Sequence, residues 1–295
     1  MRSLSLYCKS FRIDLKRVIR LAESVSIHNK DKLNFFVSVP DTDLELFREH
    51  LADLPVTLIA DEEIISSNPS FDATAFSLLP GHLGQQIVKS EFWRLNPSDA
   101  YLCLDSDSIF IRDFHATDYL NSEGTPYSVI SEAHELQLDA LARKKNQILR
   151  NFRREAALVQ ALFQREGRTY SFGPMPMVWH KAVWQSLEDA YLKPHRMNFM
   201  DAIQAAPLES RWYGEALLKF RAIRLLPCEP FFKVYHYAWQ LDQDRRRGLH
   251  NEQLAQLYSG VIYQSSWERN MDWPNEGGGQ LSRFARHLKR KMGRI

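Results

Sequence analysis

The opening of the chain constrains its fold more than any other stretch, because three short apolar runs follow one another there with helical spacing between them. Ser3 to Cys8 alternates, Lys9 and Ser10 interrupt it, and Asp14 starts a helical pattern through Leu15, Val18, Ile19 and Val25. Leu33 to Val39 reads as a second strand closed by Pro40, Asp41 to Leu51 as a second helix, and Val56 to Ile59 as a third strand. Strands joined through helices cannot pair as hairpins, so this order predicts an α/β fold with a parallel, doubly wound sheet of the Rossmann type. No Gly-x-Gly-x-x-Gly follows the first strand, which argues against a dinucleotide fingerprint.

The richest chemistry lies at Tyr101-Leu102-Cys103-Leu104-Asp105-Ser106-Asp107-Ser108, where an apolar strand runs into two carboxylates spaced two apart. Two further Asp-x-Asp pairs have blander contexts. Asp41 and Asp43 open a helix, and Asp242 and Asp244 precede Arg245, Arg246 and Arg247 in a charged segment. Residues i and i+2 of a strand point to one side, so Asp105 and Asp107 converge at the carboxyl edge of the sheet, where open α/β sheets bind ligands. At about 4 Å and an effective dielectric of about 20, each carboxylate repels a phosphate oxygen by roughly 4 kcal/mol. A diphosphate is therefore held here only with a cation, and magnesium or manganese suits oxygen ligands.

The length of 295 residues allows one large α/β domain, and 44% hydrophobic with 25% charged residues is ordinary for a globular protein. The formal net charge of +2 gives no reason to expect nucleic acid as a partner. Cys8, Cys103 and Cys228 are far apart and read as buried reduced thiols, not as a zinc site or disulfide framework. With no apolar run of signal-peptide or membrane-spanning length, the expected location is cytoplasmic.

Residues 61 to 83 read as an irregular loop, Gln85 to Leu95 as a helix, and Pro126 to Ser131 as a strand. Leu136 to Glu166 is helical and basic, with Arg143, Lys144, Lys145, Arg150, Arg153 and Arg154, and is expected to present a solvated face. Thr169 to Trp179, with Gly173, Pro174 and Pro176, reads as an extended loop-like segment and not as an interior strand. Helices follow at His180 to Leu192 and Leu208 to Phe220, then a strand at Ile223 to Pro227. After Gly277, Gly278 and Gly279, Leu281, Phe284, Leu288 and Met292 recur at helical spacing among six basic residues. Residues 281 to 295 thus read as a basic amphipathic tail suited to an anionic membrane surface, giving peripheral contact at the inner membrane.

An α/β sheet with an Asp-x-Asp strand about a hundred residues into the chain resembles the GT-A glycosyltransferases. More narrowly, the chain resembles a bacterial family of sugar transferases known mainly as a domain of unknown function. The matching pieces are Gln85-Gln86-Ile87-Val88-Lys89, Tyr101 to Phe114 with Asp105-Ser106-Asp107-Ser108, Pro126-Tyr127, Tyr170-Ser171-Phe172 and Trp212-Tyr213-Gly214-Glu215. They cover roughly residues 4 to 240, which implies a GT-A domain over 1–240 and a C-terminal extension over 241–295. The resemblance implies transfer of a sugar from a nucleotide diphosphate sugar to a glycan or lipid-linked acceptor in bacterial surface polysaccharide synthesis. It places Asp105 and Asp107 against the metal, ribose and diphosphate, with Asp107 the firmer metal ligand and Ser106 beside the donor. Asp14 takes the position that reads the nucleobase, Lys89 meets phosphate, Gln86 is among the substrate-binding residues, and His236 sits where a further metal ligand is sought.

The acceptor needs a base for its hydroxyl proton, and a carboxylate of mildly raised pKa serves. Glu209 and Glu215 flank Trp212-Tyr213-Gly214 six positions apart, on different faces of one helix, so one of them reaches the sugar. The resemblance favours Glu209. Trp212 is either a stacking platform for a sugar ring or part of the core. The competing chemistry is a haloacid-dehalogenase-like phosphatase, whose nucleophilic strand also ends in Asp-x-Asp. That motif closes the first strand of its domain and needs a later paired-acid motif, and no Asp-Asp occurs in this chain.

Overall fold

The computed structural model describes residues 4–264. Its strands are β1 (Leu4–Lys9), β2 (Phe35–Val39), β3 (Thr57–Ala60), β4 (Ala100–Leu104), β5 (Ser108–Phe110), β6 (Tyr127–Val129), β7 (Met177–His180), β8 (Leu226–Cys228), β9 (Phe232–Tyr235) and β10 (Gly260–Tyr263). The α-helices are α1 (Leu15–His28), α2 (Leu44–Leu51), α3 (Asp61–Ser66), α4 (Ala73–Ser77), α5 (Gly81–Glu91), α6 (His134–Ala142), α7 (Asn146–Leu162), α8 (Lys181–Leu187), α9 (Phe199–Ala205), α10 (Glu209–Phe220), α11 (Ala238–Arg246) and α12 (Asn251–Leu254).

The central sheet has the order β3-β2-β1-β4-β7. Its first four strands are parallel, and β7 closes the edge antiparallel to β4, so the sheet is mixed. Alternation along the strands sends side chains into two cores. Tyr7, Ile59, Tyr101, Cys103 and Trp179 face one layer with Ile87 and Val88 of α5 and Trp212 and Tyr213 of α10. Leu6, Cys8, Val37, Leu102 and Leu104 face the other layer with Val18, Leu21, Ala22 and Val25 of α1. That helix forms because these four positions recur at i, i+3, i+4 and i+7, and each is fully buried. The result is a mixed α/β domain with helices on both faces of one sheet, as the strand and helix order predicts.

Several boundaries differ from the sequence reading. Residues 61 to 83 hold α3 and α4, with Asp72 capping α4 through Thr74 and Ala75 N–H groups. The basic stretch 136 to 166 breaks at Arg143 to Lys145 into α6 and α7. Proline keeps the segment after Thr169 out of the sheet as far as Pro176, and β7 then pairs with β4 at the sheet edge.

A second sheet, β5-β10-β9, stands beside the first. Its middle strand β10 pairs antiparallel with β5 and parallel with β9, and α11 runs across position 240, so the fold continues past the domain boundary expected there. The strands are too short to show in periodicity: β5 has three residues, and β9 and β10 four each. The amphipathic tail expected at residues 281 to 295 lies outside the described residues. No helix of the described residues is long and apolar enough to cross a membrane.

Candidate active site

Strand order fixes where ligands enter. From β1 the chain moves to β2 on one side, whereas from β3 it crosses over to β4 on the other, so the carboxyl ends of β1 and β4 flank the topological switch point. Two loops meet there: residues 10 to 14 after β1, and Asp105-Ser106-Asp107 after β4.

The acidic turn is held on both sides. Ser108 N–H donates to Asp105 O at 3.1 Å, and Tyr263 N–H of β10 donates to Asp107 O at 3.1 Å. Asp107 is buried, as is Ser106, whereas the Asp105 side chain is 28% exposed. Behind them lies Lys89, projected from the last turn of α5 and 5% exposed. Its Nζ lies 2.8 Å from Asp105 Oδ1 and 3.5 Å from Glu209 Oε1. Burial pulls the Lys89 pKa down, but Asp105 and then Glu209 outweigh it and hold the ammonium well above its ordinary value. Burial raises the Glu209 carboxyl, and Lys89 opposes that shift in part.

Glu209 is the first residue of α10, and its position is set by α5 as well. Gln86, one turn before Lys89, accepts from Leu208 N–H at 2.5 Å and donates from Nε2 to His82 O at 2.8 Å. Leu208 has φ +94°, a strained conformation for a branched residue, and the Gln86 hydrogen bond holds it there. Asp105, Lys89, Gln86 and Glu209 therefore form one continuous arrangement at the carboxyl edge.

The remaining residues singled out from the sequence separate from that arrangement to different degrees. Asp14 lies on the β1 side of the switch point, ion-paired with Arg17 one turn along α1. Glu215 is buried and bound through both oxygens to Arg165, tying α10 to the end of α7. Six helical positions put it about 9 Å along the axis from Glu209. Both Glu215 oxygens are committed to a guanidinium, an anchoring role that leaves Glu209 as the acid of the pair nearer the acidic turn. Of the two readings of Trp212, the structure has it in the core: it is 1% exposed, packs on Phe163 and Tyr191, and donates its indole N–H to Ala206 O at 2.9 Å. His236 follows β9, with β10 between it and the acidic turn, and burial lowers its pKa. Among the described residues no three His, Cys, Asp or Glu side chains gather as a metal-ligand group.

Sequence reasoning passed over Lys9 and Asp61. Lys9 ends β1, and its Nζ lies 2.7 Å from Asp61 Oδ2 just past β3, with Tyr7 and Ser38 hydroxyls in contact at 2.9 Å beneath. The signal was present: Lys9 and Asp61 close apolar strands at the same edge as Asp105. Arg12 is equally informative, since its backbone N–H and its Nε both reach Asp43 at 2.8 Å and brace the loop after β1.

With this geometry in place, residues 3–241 match a family described as a family of unknown function (DUF6492). The chain belongs to that family. A comparison with curated proteins finds no match. Among solved structures, mouse xyloside xylosyltransferase 1 in its apo form is similar at TM-score 0.48 and 11% identity, covering 92% of this chain and 100% of that one. The galactosyltransferase LgtC, in complex with donor and acceptor sugar analogs, is similar at TM-score 0.49 and 11% identity over 96% and 94% of the two chains. The glycosyltransferase GlyE of Streptococcus pneumoniae TIGR4 is similar at TM-score 0.45 and 13% identity over 96% and 58%. At such scores and identities these likenesses do not bear on what the DUF6492 member does.

Proposed function

We propose that this protein is a metal-dependent glycosyltransferase that moves a sugar from a nucleotide diphosphate sugar to a glycan or lipid-linked acceptor, in bacterial surface polysaccharide synthesis. The observation that carries the reading is the Asp105-x-Asp107 turn at the switch point, backed by one buried lysine that also touches Glu209. Two strand-end carboxylates are the donor set that a magnesium or manganese ion completes with substrate phosphates, so the residues present fit such an ion. Asp105 and Asp107 would hold it. When bound, it supplies positive charge where the diphosphate becomes negative.

The chain's own residues account for the rest. Lys89 fixes the Asp105 carboxylate and keeps positive charge behind the diphosphate edge. Glu209, lifted above the ordinary carboxylate range by burial, takes the acceptor hydroxyl proton. Gln86 sets the start of α10 and hence the Glu209 carboxylate. The loop from Ser10 to Asp14 offers the groups that read the base, with Asp14 among them. Ser106 lies between the two acids, beside the donor.

Titration of nucleoside diphosphates in manganese and in excess chelator tests the reading. Binding is expected in manganese alone and is expected to vanish in Asp107→Asn with the melting temperature unchanged. Binding that persists in chelator, or in Asp107→Asn, refutes the metal role.

A further inference from the structure

We infer that the groove between the end of α10 and β8 binds an aliphatic acid, an anionic head on an apolar body. The groove stands apart from the candidate active site, because the twelve residues of α10, about 18 Å of helix, separate it from Glu209.

Its shape follows from how α10 ends. The helix stops at Phe220, and Arg221 leaves it with φ +53°, its N–H donating to Leu217 O at 3.2 Å. That left-handed step turns the chain, and residues 222–225 then run beside the last helical turn into β8. Between helix and segment lies a cavity of about 560 Å³ that opens to solvent, a size that suits a small molecule.

The lining has two parts. Leu217, Leu218, Ile223 and Leu225 supply aliphatic walls, with Leu217 buried and Leu225 37% exposed. Arg221 and Arg224 supply the charge, both exposed, and no carboxylate lines the cavity. Among the described residues neither arginine makes an ion pair. The arginines that hold α10 to α7 behave differently: Arg211 is paired with Glu155 and Arg165 with Glu215.

A guanidinium presents a planar fork of N–H donors that a carboxylate or phosphate matches through two oxygens. Two such forks without an acid between them favour an anion. The four aliphatic side chains favour a body without polar groups, because a sugar or nucleotide pressed against them loses its water and gains no hydrogen bond in return. An uncharged lipid covers the walls but gains nothing from the two cations. The ligand that answers both parts is an aliphatic chain ended by a carboxylate or phosphate.

Calorimetry on the full chain with octanoate, acetate and 1-octanol tests the two parts separately. Octanoate is expected to bind at least about 10-fold more tightly than acetate, which lacks the chain, and than 1-octanol, which lacks the charge. Arg221→Ala/Arg224→Ala is expected to bring octanoate down to the level of 1-octanol. Ala222→Trp, which fills the groove and keeps both cations, is expected to weaken octanoate by about 10-fold or more, with the melting temperature of both variants unchanged. Equal affinity for octanoate and either partial probe, or wild-type octanoate affinity in either variant, overturns the site. So does attachment to phosphatidylglycerol vesicles that needs both arginines while octanoate stays unbound, which would make the two cations a bilayer contact.

Discussion

Lys89 carries the largest electrostatic load of any residue near the acidic turn. It balances Asp105 and Glu209 while almost fully buried, so its removal leaves carboxylates uncompensated. Lys89→Met is expected to cost about 3–5 kcal/mol in urea unfolding, the range for breaking a buried pair. Glu209 makes the complementary prediction about rate. Its raised carboxyl pKa places the acid limb of kcat/KM above the ordinary carboxylate range, with activity lost as the pH falls and Glu209 is protonated. Glu209→Gln is expected to lower turnover about 100-fold with little change in donor affinity, and Glu215→Gln to act on stability instead. The position of Asp105 and Asp107 was legible because an apolar run of strand length leads into them, whereas the turn they occupy was not: β4 ends at Leu104 and β5 begins at Ser108, so strand period does not aim their side chains. Nor were the roles of Glu215 and Trp212 legible, since a helix pattern shows that a side chain is buried but not whether an arginine or a substrate covers it.

At the scale of elements, α5 links the chemistry to the rest of the fold, for Glu91 on the same helix is fully buried among Asn68, Arg94 and, through Arg94, Glu188. Burial raises its pKa to about 7, opposed by Arg94. A carboxyl raised on folding binds protons more tightly in the native state, so its contribution is full below about pH 4.5 and declines as pH rises to about 7. Glu91→Gln is expected to flatten the stability profile across that window, by on the order of 3 kcal/mol, in urea melts at successive pH values. The central strands and their helices were legible from apolar spacing. The second sheet was hidden because its strands are three or four residues long and gain their stability from partners far away in sequence. Gly260 shows how tight that packing is: a Cβ there would stand 2.2 Å from the Phe232 ring and 2.3 Å from Ile109 O. Gly260→Ala is therefore expected to lower the melting temperature by several degrees or more, since backbone cannot give way as a flexible side chain does.

For the whole molecule, the family match ends at residue 241, whereas the fold runs to β10. A chain ending at 241 lacks the middle strand of the second sheet. It is expected to lose cooperative unfolding, measured by calorimetry against a chain ending at 264. The thiols report on the same integrity. Burial pushes Cys8 and Cys103 far above the ordinary thiol range and Cys228 up to about 11, so folded protein is expected to react slowly with a disulfide reagent. Denaturant should release all three together.

The bond from Tyr263 to the Asp107 carbonyl also sets a schedule for biosynthesis. The strand leaving the acidic turn finds its partner in β10, which a ribosome makes about 150 residues later. At common elongation rates that interval is on the order of ten seconds, during which β4 can settle against β1 and Lys89 can reach Asp105 while the Asp107 carbonyl still lacks its partner. Competence thus arrives late and all at once, and a nascent chain stalled anywhere before β10 exposes its two acids without the strand that aims them.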